Sequence, residues 1–374
     1  MKMAFVSDAI YPYNKGGKEK RIYEISTRLA KRAHNVHVYC MKWWKEKEIH
    51  KIENGVHLHA ISKYYALYSG KRRSIKEAIM FAFACFKLIR EDFDIIDVDH
   101  MPYFVLFSTK VVCMLKRKKL IASWNEVWER KYWNEYLGVW GNVAYIIEKL
   151  SVLMPDKIIS ISEHTTNKLK NDLLSRKNIF TVSIGVDFEK IKKIHASSEK
   201  SDVIFAGRLL SHKNVDVLIK SIQLIKGKIP KIKCLIIGDG PEKNDLEALV
   251  QKFNLEKNIN FLGFLENHDD VYAIMKSSKV FVLPSTREGF GIVAIEANAC
   301  GITVITVNHK DNAARDIIEE GKNGFVCQLD EKEIAKNIMK GIKNRSRMKL
   351  ACTKSAKLYD WDNLMKKLEE VYLI

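Results

Sequence analysis

The sequence predicts two doubly wound α/β domains, and three observations carry that expectation. The 374 residues exceed what one ordinary hydrophobic core encloses. Short apolar runs alternate with segments of helical periodicity along the whole length. The alternation breaks near Gly185-Val186-Asp187, ahead of a polar, lysine-rich stretch that ends at Lys200, and then begins again. Two sheets wound in this way are expected to face a ligand cleft.

Taken in order, the first half offers strands at Met3–Val6, Val36–Tyr39, Ile95–Val98, Lys119–Ala122 and Lys157–Ser160, with a helix from about Lys18 to Arg32. Strands in the second half are expected near Val203–Ala206, Cys234–Ile237, Asn260–Phe261, Val280–Leu283, Thr303–Thr306 and Gly324–Val326. After the first of these, Val215, Leu218, Ile219 and Ile222 keep helical spacing. The expected domains are residues 1–187 and 188–355. A final helix follows over 356–374, whose apolar face (Trp361, Leu364, Leu368, Val371) must pack and is expected to do so on the N-terminal domain.

Composition narrows the class. A hydrophobic share of 47% with only 6 prolines argues for a packed globular chain rather than disorder. The 7 cysteines are scattered without CxxC or Cys/His ligand spacing, as buried thiols in a reducing compartment would be. No signal-peptide design or membrane-spanning run is visible, so a cytoplasmic protein is expected, with a peripheral place at the inner face of the membrane as an option.

A net charge of +18 calls for anionic partners. Basic residues are dispersed and match no nucleic-acid motif, so no nucleic acid is expected. The segment from Lys71 through Arg72, Arg73 and Lys76 to Arg90 places charge beside Ile79, Met80, Phe81, Phe83 and Phe86. A helix of that kind lies on an anionic membrane or packs in a core with snorkelling lysines.

The most informative stretch runs from Arg287 to Glu296. An apolar strand enters a polar turn and a glycine pair, and a helix begins at once. Backbone at Gly289, Phe290, Gly291 and Ile292 can approach a phosphate, and Glu288 and Glu296 can accept from hydroxyls. Were both on one helix, eight residues would part them by roughly 12 Å, too far for one shared metal. One elongated, phosphorylated, polyhydroxylated ligand suits them better, and a sugar nucleotide fits. Arg208 and Lys213 stand at a second strand-to-helix junction, where two cations suit a diphosphate.

In this order the motifs resemble those of the retaining glycosyltransferases with the two-Rossmann GT-B fold, family four, over nearly the whole chain. Glu288 and Glu296 match the E-x7-E motif, Gly207-Arg208 with Lys213 the diphosphate pair, and Gly16-Gly17 the glycine loop after the first strand. Gly238-Asp239-Gly240-Pro241 matches a glycine turn, Gly185-Val186-Asp187 the interdomain segment, and His100 a histidine beside the donor sugar. Ile184, Thr303 and Asn125 depart from the pattern, replacing the usual Asn, Pro and His; Asn125 lies toward the acceptor side, so the acceptor does not transfer from relatives.

The resemblance implies transfer of a sugar, with retention, from a UDP-, GDP- or ADP-sugar to a hydroxyl acceptor that is a glycan, lipid-linked or small. Glu296 would hold the ribose, Glu288 the donor sugar, and Gly16 and Gly17 the phosphates, while His100 would orient the sugar. Arg208, Lys213 and the amides of Gly289 to Ile292 would stabilise the leaving diphosphate. No cofactor and no metal would then be required, although Asp97-Val98-Asp99 matches the D-x-D metal signature of the other glycosyltransferase fold. The alternatives are a sugar-nucleotide epimerase or phosphorylase of the same fold, and a silent protein binding anionic membrane or RNA.

Overall fold

The computed structural model describes every residue except Lys71 and Ile374, so the first residue of the basic segment lies outside the described residues. Two units divide the chain: Met1–Ser183 with Met365–Ile374, and Ile184–Leu364.

Unit 1 opens with β1 (Lys2–Val6), α1 (Gly17–Lys31), β2 (Asn35–Met41), β3 (His50–Glu53) and β4 (Val56–Ser62). A small hairpin of β5 (Tyr68–Ser69) and β6 (Arg72–Arg73) leads to α2 (Ile75–Ala84). Then come β7 (Ile95–Asp99), α3 (Phe104–Lys116), β8 (Leu120–Trp124), α4 (Glu129–Leu137), α5 (Gly141–Ser151), β9 (Lys157–Ser160), α6 (Glu163–Asn171) and β10 (Asn178–Thr181). The sheet order is β10-β9-β8-β7-β1-β2-β4-β3, parallel except for β3 against β4. The winding reverses between β1 and β7, the point at which such sheets bind ligands beyond their carboxyl ends. Right-handed crossovers in the two directions put α1 on one face and α2, α3 and α5 on the other. Strand residues such as Val6, Val98, Ala122 and Ile158 form one core with Phe81, Leu88, Leu106 and Val152 from that second layer.

The edge strands β3 and β10, and β4 next to the edge, escape the sequence reading for a physical reason. An edge strand is not buried on both faces, so it carries no continuous apolar run. In β4, His57 and His59 alternate with Val56 and Leu58. The imidazoles form a ladder on one face: His37 Nδ1 lies 2.8 Å from His59 Nε2, and His59 Nδ1 lies 2.7 Å from His50 Nδ1. Burial is the first cause that lowers the pKa of His37 and of His59, each to about 4.

The basic segment is not one helix. Arg72 and Arg73 belong to β6, Ser74 caps α2 by accepting from Glu77 N–H at 3.2 Å, and a 3₁₀ turn runs from Cys85 to Arg90. Arg73 is bonded to the fully buried Asp8 and lies 3.7 Å from Glu77, which withdraws it from any role on a lipid surface.

Unit 2 contains α7 (Phe188–Lys193), β11 (Ser201–Ala206), α8 (Val215–Lys226), β12 (Cys234–Ile237), α9 (Lys243–Lys252), β13 (Ile259–Gly263), α10 (His268–Ser277) and β14 (Ser278–Leu283). It continues with β15 (Arg287–Glu288), α11 (Ile292–Ala299), β16 (Thr303–Val307), β17 (Asp311–Asn312), β18 (Gly324–Cys327) and α12 (Glu331–Lys357). Six parallel strands in the order β13-β12-β11-β14-β16-β18 form the sheet, and its winding reverses between β11 and β14. The two loops singled out in the sequence, 207–213 and 284–291, leave these two strands. The last helix, α13 (Trp361–Leu373), starts in unit 2 and ends in unit 1, where Tyr372 donates to Asp97 at 2.6 Å.

Candidate functional site

In unit 2 the two loops are bonded to each other. His212 carbonyl oxygen accepts from Thr286 N–H at 2.9 Å, and Asn214 Nδ2 donates to Pro284 carbonyl oxygen at 3.0 Å. Lys213 Nζ closes the junction on Glu288 Oε1 at 2.6 Å, with only 14% and 12% of the two side chains exposed. At that burial the pair is screened far less than a surface ion pair. Arg208 is exposed beside it, and among the described residues no carboxylate pairs with it. His212 adds no charge at neutral pH. Burial first, then Arg287 and Lys213, lower its pKa to about 4.

Glu288 is not helical. It lies on β15, which pairs with β17, so its backbone is fixed before α11 begins. That replaces the one-helix geometry used to set the separation from Glu296. Gly291 caps α11 at φ +85, and a Cβ there would come within 2.5 Å of Ala314 Cβ, so conformation and packing both require glycine. No side chain caps α11; of its first amides, Ala294 N–H donates to Gly291 carbonyl oxygen at 2.9 Å. Glu296, a turn further on, is 5% exposed; its Oε1 accepts from Tyr272 hydroxyl at 2.8 Å and from His268 Nε2 at 2.9 Å. The Gly238-Asp239-Gly240 turn does packing work instead: a Cβ at Gly238 would fall 1.9 Å from Gly207 carbonyl oxygen.

Unit 1 gathers its own set at the β1/β7 reversal. Gly16 caps α1 without a side-chain bond, and a Cβ at Gly17 would meet nothing within 4 Å, so packing does not demand glycine there. Lys18 bridges Asp8 Oδ1 at 2.8 Å, Asp99 Oδ2 at 2.6 Å and Met101 carbonyl oxygen at 3.0 Å. Burial opposes the charge on Lys18, but Asp8 and Asp99 outweigh it and hold its pKa well above the ordinary value. Burial would likewise raise Asp99; Lys18 and His100 overcome it and hold that carboxyl well below the usual range.

His100 is 2% exposed and stacks on Trp124 with ring centroids 4.8 Å apart. Its Nδ1 lies 3.3 Å from Asp99 Oδ1. The same Nδ1 lies 3.5 Å from Asn125 N–H, which donates to it, and Nε2 is buried with no partner among the described residues. The two carboxylates of the D-x-D run have separate duties. Asp99 is held by Lys18 and Asn125, whereas Asp97 accepts from Tyr372 and from Ser123 and has its pKa raised by burial.

The structure thus joins Lys213 to Glu288, sets Arg208 and the α11 amides on the loops around them, and fixes Glu296 from α10. Gly16, Gly17 and His100 belong to unit 1, with Lys18 and Asp99. Sequence reasoning missed Thr286, Asn214, Tyr272, His268 and Lys18. Only His268 and Tyr272 left a local signal, as an i, i+4 pair on one helix face.

Comparison with known proteins defines the class. The family described as Glycosyltransferase Family 4 matches residues 15–190, and that described as Glycosyl transferases group 1 matches residues 187–358. The two matches run on from one another, and the chain belongs to these family-four glycosyltransferases with the GT-B fold. It is 33% identical over 219 residues to the capsular polysaccharide biosynthesis glycosyltransferase CapM of Staphylococcus aureus, covering 54% of this chain and 57% of that one. It is 23% identical to the phosphatidylinositol N-acetylglucosaminyltransferase gpi3 subunit of Schizosaccharomyces pombe, over 98% of this chain and 79% of that one. The S. aureus match therefore spans little more than half of that relative's length. Among solved structures, sucrose-phosphate synthase from Thermosynechococcus elongatus superposes with a TM-score of 0.81 at 16% identity, covering 99% and 98% of the two chains. Anabaena HepE, determined with UDP and glucose, gives 0.74 at 16% identity, over 100% and 99%.

Proposed function

We propose that the chain transfers a sugar from a nucleoside diphosphate sugar to an acceptor hydroxyl with retention at the anomeric carbon and without a metal. The observation that carries this reading is the half-sealed Lys213–Glu288 pair between two loops at the β11/β14 reversal, with Arg208 and the uncapped α11 beside it. In the transition state the bond from the anomeric carbon to the phosphate oxygen breaks, and its electron pair goes to the diphosphate. Arg208, Lys213 and the α11 amides are fixed donors at that growing charge. The acceptor oxygen bonds to the same carbon on the same face, and its proton passes to a phosphate oxygen. Glu288 then meets the donor sugar and Glu296, oriented by Tyr272 and His268, the ribose. Gly16, Gly17 and His100 are assigned to phosphates and sugar by motif register, and the unpartnered Nε2 of His100 suits a sugar hydroxyl. UDP in HepE and ADP in a plant starch synthase of the same fold support a nucleotide donor here.

The test is a panel of UDP-, GDP- and ADP-sugars screened by thermal shift, followed by NMR of the product's anomeric configuration. One donor at 100 times its Kd adds about 2.7 kcal/mol of stability. Inverted product, or stabilisation by none of the donors, overturns the proposal; product without an acceptor and with the sugar epimerised favours the epimerase.

A further inference from the structure

The second helical layer of unit 1 carries apolar side chains on its outer side as well as on the side packed in the core. In α5, Val143, Ile146 and Leu150 recur at helical spacing and are all exposed, while the buried positions are Gly141, Glu148 and Ser151. What turns the helix this way is a carboxylate. Glu148 is fully buried and accepts from Trp133 Nε1 at 2.7 Å, Tyr103 hydroxyl at 2.9 Å and Trp128 N–H at 2.9 Å. Val139 and Trp140, just before α5, are 86% and 69% exposed.

The exposed apolar surface continues across the layer, where α2 and α3 also bury Phe81, Leu106 and Val112 in the core. α3 packs against α2 on one side and α5 on the other. Met114 and Leu115 of α3 are exposed at 68% and 67%, and Phe83 of α2 at 65%. Among the described residues, 15 of the 28 large exposed hydrophobic side chains fall between Ile75 and Leu153. An apolar face of that breadth is not the scatter expected of an ordinary surface.

Charge names the occupant. On α2, the turn after it, α3 and α5, the only acidic residues are Glu77 and Glu148, and both are fully buried. The same elements carry Lys76, Lys87, Arg90, Lys116 and Lys149, besides Lys110, which pairs with Asp156 at 2.7 Å. A second copy of this chain would bring the same cations against themselves, in a protein already at +18. No described helix is long and apolar enough to cross a membrane. We infer that the face formed by α2, α3 and α5 docks the protein in the interfacial plane of an anionic bilayer. The docking element is wider than the basic segment before Arg90, and α5 contributes apolar anchors that the sequence pattern alone did not mark.

The test is co-sedimentation of the full chain with phosphatidylcholine vesicles, with and without phosphatidylglycerol. Binding is expected to the anionic vesicles and to weaken in 1 M salt. The exposed triple substitution Val139→Ser, Trp140→Ser, Ile146→Ser should cut partitioning by at least about tenfold with an unchanged melting temperature. Arg90→Gln and Lys76→Gln should each cut it by at most about fivefold. A separate control, Leu224→Ser on unit 2, should leave it unchanged. Absence of binding to either vesicle overturns the inference. So does a concentration-dependent dimer abolished by the triple substitution, which would make this a protein interface.

Discussion

The two units share one architecture and treat charge and apolar surface in opposite ways. Unit 2 keeps the charges of its candidate site at a half-open junction: Lys213 and Glu288 are paired yet reachable, and Arg208 is exposed. Unit 1 buries its charges, with Asp8, Asp99, Glu77 and Glu148 all nearly or fully inaccessible, and exposes apolar side chains on its outer helices. Among the described residues, unit 2 exposes 5 large hydrophobic side chains, against 15 on the stretch from Ile75 to Leu153 of unit 1. Desolvation explains the division. A site for a charged, exchangeable ligand needs fixed charges that water can still reach, whereas a buried charge is stable only when its partners are permanent. The lesson is that unit 2 keeps a reachable cluster of charge at its sheet reversal, as the proposed diphosphate site requires, and unit 1 keeps internal ion pairs and an apolar outer layer.

The largest effects should separate the units by kind. Lys213→Ala and Arg208→Ala are expected to lower kcat/KM by roughly 10²- to 10³-fold, the scale of removing a fixed donor from a developing charge, with melting temperature nearly kept. Lys213→Ala should be the more severe because it also strips Glu288 of its cation. In unit 1, Glu148→Ala should instead cost about 3 kcal/mol of stability, since three buried donors lose their acceptor. Denaturant unfolding checks this, and a loss confined to activity would show that Glu148 does not hold α5.

Smaller differences sharpen the assignments within unit 2. Glu296→Ala should weaken donor binding, and Glu288→Ala should mainly slow turnover, because ribose contacts are the same in ground and transition states. Tyr272→Phe should raise donor Kd several-fold by freeing Glu296, roughly the worth of one hydrogen bond to a charged group. Equal, small effects of both glutamate substitutions on Kd and single-turnover rate would break the pairing of roles.

Acid should test the histidine ladder of unit 1. The pKa values of His37 and His59 lie near 4 in the folded chain, below the ordinary 6.5. The unfolded chain therefore takes up protons first, and the stability these residues confer, complete above about pH 6.5, is lost as pH falls toward 4. The double substitution His37→Gln, His59→Gln should flatten that part of the stability profile. The smallest expected effect is on metal: turnover should persist in excess EDTA, and Asp97→Asn should leave donor affinity nearly unchanged. Loss of turnover on chelation, restored by Mn²⁺, would reassign the phosphate site.

The alternation of central strands and helices was legible because doubly buried strands are continuous apolar runs, as at Ile95–Asp99 and Ser278–Leu283. The strand carrying His57, next to the sheet edge, was not, since its half-exposed face interrupts the pattern. Within the site, charged residues beside glycine stood out locally. Their supports did not: Thr286 meets His212, and Tyr272 meets Glu296, across 74 and 24 residues of chain. The outward stripe of α5 was hidden for the opposite reason. Its apolar spacing reads as a core helix, and only the buried Glu148 shows which way it faces.

The most direct measurement is calorimetric titration of UDP, GDP and ADP into the full chain in EDTA, alongside Lys213→Ala and Arg208→Ala. One nucleoside diphosphate should bind the unmodified protein without metal, and each substitution should weaken it by at least about tenfold, as expected for losing a charge-assisted bond to phosphate. Unchanged affinity in both variants, or binding that appears only when a divalent ion is added, would contradict a diphosphate site built on Arg208 and Lys213.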